Sequence, residues 1–269
     1  RMDASGVPLN LDELPPMPVH MADWQRHRHD FDVFNTQGRS VPTAQMIAKR
    51  GCPYSCLFCS ERRELAPPNV RSIDNILSEV ALRKTQGFGA VFFDDSTFGS
   101  YPKLRDLLRE LEGAQMLFGC LNRFNHLTSP DTIETYKRAG FVYMYCAIEQ
   151  FSDEALTAMG KGQTVSHVSR GAALLADADI GLGVSLLYGL PGESARSVEA
   201  TLDFTEDWVD RGLIRLVSES VFSYHPGTPL GEGRALKFDR VPPNLGYPFN
   251  RFEEGQWYHP EFVSRDYLI

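Results

Sequence analysis

The sequence predicts an α/β fold built on a parallel sheet, and two observations carry the prediction. Six short apolar, strand-like runs alternate with helical patterns from about residue 42 to residue 222. Such alternation makes right-handed crossovers between parallel strands the natural topology. The most chemically loaded segment, a cysteine-rich loop, directly follows the first of those strands. Functional loops of parallel α/β folds gather at the carboxyl ends of the strands.

Residues 1–40 hold Pro8, Pro15, Pro16 and Pro18 among charged residues without periodicity, and read as a linker or wrapping segment. His20, His27 and His29 lie in this polar stretch, where solvation rather than metal ligation is the expectation. The chain opens Arg1-Met2, which is not a natural start, so a segment is expected to precede it. Thr43–Lys49 reads as the first strand, running into the cysteine loop. Ser72 is placed as an N-cap, followed by Ile73, Ile76, Leu77, Val80 and Ala81 at helical spacing. Gly87 and Gly89 end that helix before the strand Ala90–Phe93. Leu104, Leu107, Leu108 and Leu111 form the face of a helix that stops at Gly113, and a strand over Met116–Leu121 follows.

Ser129-Pro130 supplies a cap with proline at the first helical position, and Gly140 stops that helix. Val142–Ile148 is the fourth strand, and helices near Asp153–Met159 and Val165–Ala178 lead to the fifth, Leu182–Tyr188. Ser194–Asp210 is amphipathic, with Val198, Leu202, Thr205 and Val209 expected inside, and Ile214–Phe222 is the sixth strand. Residues 41–230 are thus expected to form the core domain. Residues 231–269, rich in aromatics and proline, read as a packed C-terminal extension or a substrate lid.

With 269 residues, 42% of them hydrophobic, a sizeable core is available. The net charge of −8 argues against broad electrostatic binding to nucleic acid or an anionic membrane. The longest apolar stretch, Phe141–Ile148, is too short to span a bilayer. Neither a nucleic-acid nor a membrane partner is therefore expected, and a reducing, cytoplasmic setting is the default. Five cysteines, an odd number, in a chain of this length do not make a disulfide scaffold.

Cys52, Cys56 and Cys59 stand at CxxxCxxC spacing in RGCPYSCLFC. Soft thiolates this close suit an iron–sulfur cluster or zinc. A 4Fe–4S cluster usually takes four cysteines, so three would leave one iron open. Zinc would need a fourth ligand at ordinary spacing. The nearest downstream histidine is His126, and Cys120 and Cys146 sit in apolar strand-like runs where a small buried thiol is expected.

The loop and its context resemble the radical S-adenosylmethionine superfamily over roughly residues 40–230. RGCPYSCLFC, FFDDSTF, the strand end at Arg123, KRAGF, AIEQF, MGKGQT, YGLPGE and HPGTPL occur in the order expected of that family. The chain is most similar to the branch whose members often carry an N-terminal cobalamin domain, and ELPPMPVHMADW resembles the linker after that domain. No cobalamin domain and no Asp-x-His-x-x-Gly motif is visible. The implied fold is a partial (βα)6 TIM-like barrel of the radical SAM type.

The resemblance implies that Cys52, Cys56 and Cys59 bind three irons of a 4Fe–4S cluster whose fourth iron chelates S-adenosylmethionine. It implies Phe58 beside the adenine, with loop packing as the plain alternative. It implies Asp94 and Asp95 at the methionine ammonium, one of the two acting instead as a cap. Glu149 is expected at the ribose hydroxyls or the methionine end, and Arg123 at the carboxylate. Gly189 and Leu190, in the Gly-Leu-Pro-Gly turn, are expected to let the backbone approach the adenine. Ser223 and Tyr224 are carried over as further cofactor contacts. His225 is a substrate ligand, proton donor or packed loop residue, and Lys161 completes the set. Strand alternation puts Tyr143, Tyr145 and Ala147 on the face of Glu149, with Cys146 opposite, and turns Arg123 inward and Cys120 outward.

The implied function is reductive cleavage of S-adenosylmethionine to a 5′-deoxyadenosyl radical acting on a small-molecule substrate. Methyl transfer or a related natural-product step is the first reading, with cobalamin as a further cofactor and a flavodoxin or ferredoxin as electron donor. A cobalamin-independent dehydratase, epimerase or oxidoreductase is the second. A non-enzymatic iron–sulfur or zinc protein is the third, and would require a fourth protein ligand.

Overall fold

A computed structural model describes residues 10–16, 18, 41–61, 68–190, 192–222 and 228–230, and the backbone of 237–238 and 258–259. In chain order the elements are β1 (Thr43–Met46), β2 (Lys49–Arg50), β3 (Asn69–Val70), α1 (Ile73–Thr85), β4 (Ala90–Phe93), α2 (Leu104–Leu111) and β5 (Leu117–Asn122). Then come α3 (Pro130–Arg138), β6 (Phe141–Glu149), α4 (Asp153–Ala158), α5 (Val165–Asp177), β7 (Gly181–Tyr188), α6 (Ala195–Asp210) and β8 (Ile214–Val221). β1, β4, β5, β6, β7 and β8 form one all-parallel sheet in that order. Among the described residues β1 and β8 are its two edges, so hydrogen bonds do not close it into a full barrel. The alternating α/β architecture expected from the sequence is the one observed.

Local chemistry starts the helices. Ser72, Ser129, Ser152, Thr164 and Ser194 each accept a hydrogen bond from the backbone N–H three residues on. Each such cap contributes about 1 kcal/mol. Packing against the sheet supplies most of the rest. Phe93 of β4 stacks on Phe98 (centroids 4.7 Å apart), and Tyr136 of α3 meets Phe141 of β6 edge-on at 5.0 Å. This aromatic cluster fills the space between the sheet and its helices.

Cys120 and Cys146 lie in that same sheet–helix core. Tyr143 and Tyr145 belong to a separate cluster with Ala90, Phe92 and Leu121 on the opposite face. The outward assignment of both thiols by alternation therefore stands. Gly183 serves that opposite face, because a Cβ there would collide with the Tyr143 hydroxyl.

Three expectations need correction. The first strand ends at Met46, not Lys49; Lys49–Arg50 instead pairs antiparallel with Asn69–Val70. The chain leaves the sheet because the Asp95 carboxylate takes the amides of Ala48 and Lys49. The inner face of α6 is Val198, Thr201, Thr205 and Trp208, while Leu202 and Val209 are 46% and 45% exposed. The Thr201 hydroxyl accepts the Phe151 amide at 2.9 Å and Phe204 stacks on Phe151 at 3.6 Å. These contacts rotate the helix away from the apolar pair. Finally, β6 carries a bulge between Ala147 and Glu149, and Glu149 has φ +67°. Simple alternation therefore fails at the strand end.

Part of the predicted linker packs on the core. Leu11 is buried, the Asp12 carboxylate accepts the Ser72 amide at 2.9 Å, and the Asp12 carbonyl accepts Asn75 Nδ2 at 3.1 Å.

Candidate active site

The cysteine loop is fixed at its base before any ligand is considered. Asp95, 1% exposed, accepts the Ala48 amide at 3.1 Å and the Lys49 amide at 2.6 Å. Lys49 Nζ donates to the Gly51 carbonyl at 2.9 Å, and Gly51 turns with φ +82°, a conformation glycine adopts without strain. Further along, the Leu57 amide donates to the Met159 carbonyl at 3.0 Å, and the Leu230 amide to the Leu57 carbonyl at 3.3 Å. The loop is thus tied to the ends of β4, α4 and the segment after β8.

Cys52 and Cys56 are buried, Cys59 is half-buried, and all three thiols are free. Cys52 Sγ lies 3.9 Å from Thr97 Oγ1, and the Glu61 amide donates to Cys59 Sγ at 3.3 Å. Burial raises the Cys59 thiol above its usual value, helped by Cys56 and Cys52 and opposed by the Glu61 amide and Lys161. Among the described residues no three His, Cys, Asp or Glu side chains converge on a point suited to a single ion. Cys120 and Cys146 remain in the sheet–helix core, where burial raises both thiols well above their usual value.

The strand ends bring the polar set together. Arg123, directly after β5, is buried and donates from Nη1 to Cys56 Sγ at 3.4 Å. Its Nη2 donates to the Lys161 carbonyl and its Nε to Asn125 Oδ1 at 3.4 Å. The guanidinium carbon sits 3.9 Å from the centroid of the Tyr54 ring. The Tyr54 hydroxyl lies 2.6 Å from His126 Nε2 and accepts from Asn125 Nδ2 at 3.1 Å. Burial, then Arg123 and Lys49, lower His126 to about 4, so its ring is neutral at pH 7.

Glu149, at the end of β6, pairs with Lys161 Nζ at 2.5 Å, and both side chains are almost wholly buried. That ammonium stands 5.8 Å from the centroid of the Phe58 ring. Phe58 and Leu57 pack on an apolar cluster that includes Leu190, Leu156 and Met159. After β7, Gly189 turns with φ +82° and donates its amide to both oxygens of Glu193 at 3.0 and 2.9 Å. Gln150 Nε2 donates to the same carboxylate. Burial outweighs these bonds and raises Glu193 to about 7.

The sequence-predicted residues therefore divide. Cys52, Cys56, Phe58, Arg123, Glu149, Gly189 and Leu190 fall on linked loops at one end of the sheet, with Cys59 on the same loop. Asp94 is exposed, and its amide donates to the Met46 carbonyl at 2.8 Å. Asp95 is committed to the Ala48 and Lys49 amides far upstream, not to the following turn that one of the pair was expected to cap. Burial raises it to about 6. Ser223, Tyr224 and His225 lie outside the described residues. Tyr54, Asn125 and the clasp by Glu193 were not singled out from the sequence. Only the position of Glu193 inside the Gly-Leu-Pro-Gly-Glu run could have drawn attention to it.

The sequence profile of the Radical SAM superfamily matches residues 46–205, more than half of the chain. The chain belongs to the Radical SAM superfamily. Members are enzymes that use a 4Fe–4S cluster and S-adenosylmethionine. Similar proteins include an uncharacterized methyltransferase of Pyrococcus horikoshii, 25% identical over 228 residues, covering 83% of this chain and 47% of the relative. The tRNA-2-methylthio-N(6)-dimethylallyladenosine synthase of Klebsiella pneumoniae is 25% identical over 218 residues, covering 75% of this chain and 45% of the relative.

The radical SAM methyltransferase TsrM of Kitasatospora setae, solved with cobalamin and a [4Fe-4S] cluster, shares the fold with a TM-score of 0.62 and 21% identity. That match covers 72% of this chain and 39% of TsrM. The chain thus spans less than half the length of these relatives. Among the described residues no helix is long and apolar enough to cross a membrane.

Proposed function

We propose that this radical SAM chain catalyses methyl transfer, or a related radical step, on a small metabolite. The observation that carries the reading is the meeting of the three-cysteine loop with Arg123, the Glu149–Lys161 pair and the Phe58–Leu190 cluster at the carboxyl end of one parallel sheet. Its donor chemistry suits an anionic thiolate-bound cluster. Cys56 receives an N–H from a fixed guanidinium, and an ammonium stands near Phe58 on the same loop. When bound, the cluster supplies the electron that cleaves the sulfonium of S-adenosylmethionine.

In this proposal Cys52, Cys56 and Cys59 hold three irons. Phe58 and Leu190 flank the adenine, and the Gly189 turn, held by Glu193, lets the backbone come close to it. Asp94 faces the ammonium of the methionine group. Asp95 is withdrawn from that task, because its oxygens already accept two amides. Arg123 uses one N–H on each nitrogen for the protein and keeps further N–H groups for the carboxylate. Glu149, oriented by Lys161, takes the ribose hydroxyls or the methionine end. Ser223 and Tyr224 are proposed as additional cofactor contacts.

Residues 41–230 are proposed as the core domain, with 231–269 as an extension or lid. Cobalamin enters as methyl carrier on the strength of the likeness to TsrM. A small substrate is favoured over RNA by the net charge of −8. A flavodoxin or ferredoxin is the proposed electron donor, and the cytoplasm the proposed setting.

The test is anaerobic. The chain is reconstituted with iron and sulfide, given S-adenosylmethionine and a strong reductant with and without cobalamin, and assayed by mass spectrometry for 5′-deoxyadenosine and S-adenosylhomocysteine. Products from the parent and none from Cys56→Ala support the reading. A cluster-loaded parent that leaves S-adenosylmethionine intact under every condition contradicts it.

A further inference from the structure

We infer that Arg123 also acts on the cluster itself, as a hydrogen-bond donor to Cys56 Sγ held in place by Tyr54, Asn125 and His126, and that this contact sets the cluster's reduction potential. The inference rests on the reading of Cys56 as an iron ligand.

The geometry is that of a clamped cation. Arg123 is buried, its Nη1 is 3.4 Å from Cys56 Sγ, and its Nη2 is tied to the Lys161 carbonyl. Its face lies 3.9 Å from the Tyr54 ring centroid, within the range of a cation–π contact. The ring is itself pinned, since the Tyr54 hydroxyl bridges His126 at 2.6 Å and Asn125 at 3.1 Å. Asn125 returns to Arg123 through Oδ1, 3.4 Å from Nε, which closes the circuit. Tyr54 lies between Cys52 and Cys56 in the loop, so the same residue that shapes the loop also aims the guanidinium at its sulfur.

An N–H donor fixed on a cluster thiolate stabilises the reduced, more negative form more than the oxidised one, because reduction adds charge next to it. Hydrogen bonds to the sulfurs and the residues around the ligands are recognised levers on such potentials. Arginine suits this task better than lysine, being planar, permanently charged and able to stack and donate at once. Tyr54 is then a positioning residue, acting through Arg123.

The experiment uses the full chain, reconstituted and free of S-adenosylmethionine, in redox titrations followed by electron paramagnetic resonance. Iron and sulfide content is measured for each variant. R123Q is expected to lower the equilibrium constant for one-electron reduction at least about tenfold, which is about 59 mV. Y54L, which removes the stacking face, is expected to move in the same direction, and R123K to recover part of the loss.

Equilibrium dialysis with S-adenosylmethionine is run in parallel, because a carboxylate contact alone predicts weaker binding with the potential unchanged. An R123Q protein with full iron content and a reduction equilibrium within twofold of the parent overturns the inference and leaves the proposed function standing. If R123Q takes up no cluster, the Y54L titration decides by the same criterion. A parent chain that takes up no iron overturns both the cysteine assignment and this inference.

Discussion

Lys161→Met is the perturbation whose cost the structure fixes best. Lys161 Nζ is 2.5 Å from Glu149 Oε1, with side chains 5% and 7% exposed. Removing the ammonium leaves a buried carboxylate without its countercharge, a change that typically costs about 3–5 kcal/mol.

The Arg123 contact is to the Lys161 backbone carbonyl and survives the substitution. Urea unfolding at pH 7, followed by circular dichroism, measures the cost. Glu149→Gln combined with Lys161→Met removes both charges and should recover to within about 1.5 kcal/mol of the parent. A Lys161→Met protein within 1 kcal/mol of the parent at pH 7 refutes the buried-pair account.

Other positions give sharp expectations. Asp95→Ala leaves the Ala48 and Lys49 amides buried without acceptors and should cost about 2–4 kcal/mol in urea unfolding, with lower iron uptake on reconstitution. Gly183→Ala drives a methyl into the Tyr143 hydroxyl and should lower stability by about 1–3 kcal/mol, with Tyr143→Phe restoring part of it. Glu193 is raised from its ordinary 4.5 to about 7, so its protonated form stabilises the fold at low pH and that contribution is lost as pH rises through 7. Between pH 5.5 and 8 the parent should therefore lose about 2 kcal/mol that Glu193→Gln does not lose, read from paired unfolding curves. On α6, Leu202→Lys should stay within about 0.5 kcal/mol of the parent while Trp208→Ala costs about 3–5 kcal/mol, a contrast opposite to the apolar reading of that helix.

The parts legible in the sequence are those written in local code. Serine caps at 72 and 129 and apolar runs such as Phe141–Ile148 carry their own structure, so the order and parallel direction of the sheet followed. The cysteine loop was legible because its three ligand-type residues sit within one turn-rich segment. What stayed hidden depends on partners distant in sequence. Asp95 reaches back 46 and 47 residues to hold the loop base, and Tyr54 meets Asn125 across 71 residues. Alternation placed Cys120 and Cys146 correctly in mid-strand, but it had no means to foresee the bulge that turns Glu149 toward Lys161. The face of α6 was misread because threonine hydroxyls bonded to backbone can be buried as readily as leucine.

The central claim is that three cysteines hold a cluster with an iron left open for S-adenosylmethionine. Electron paramagnetic resonance of the reduced, reconstituted chain tests it most directly, recorded before and after S-adenosylmethionine is added. The account predicts a reduced 4Fe–4S signal that shifts on addition and is absent from Cys56→Ala. A signal that S-adenosylmethionine leaves unchanged, or one that persists in the variant, would contradict it.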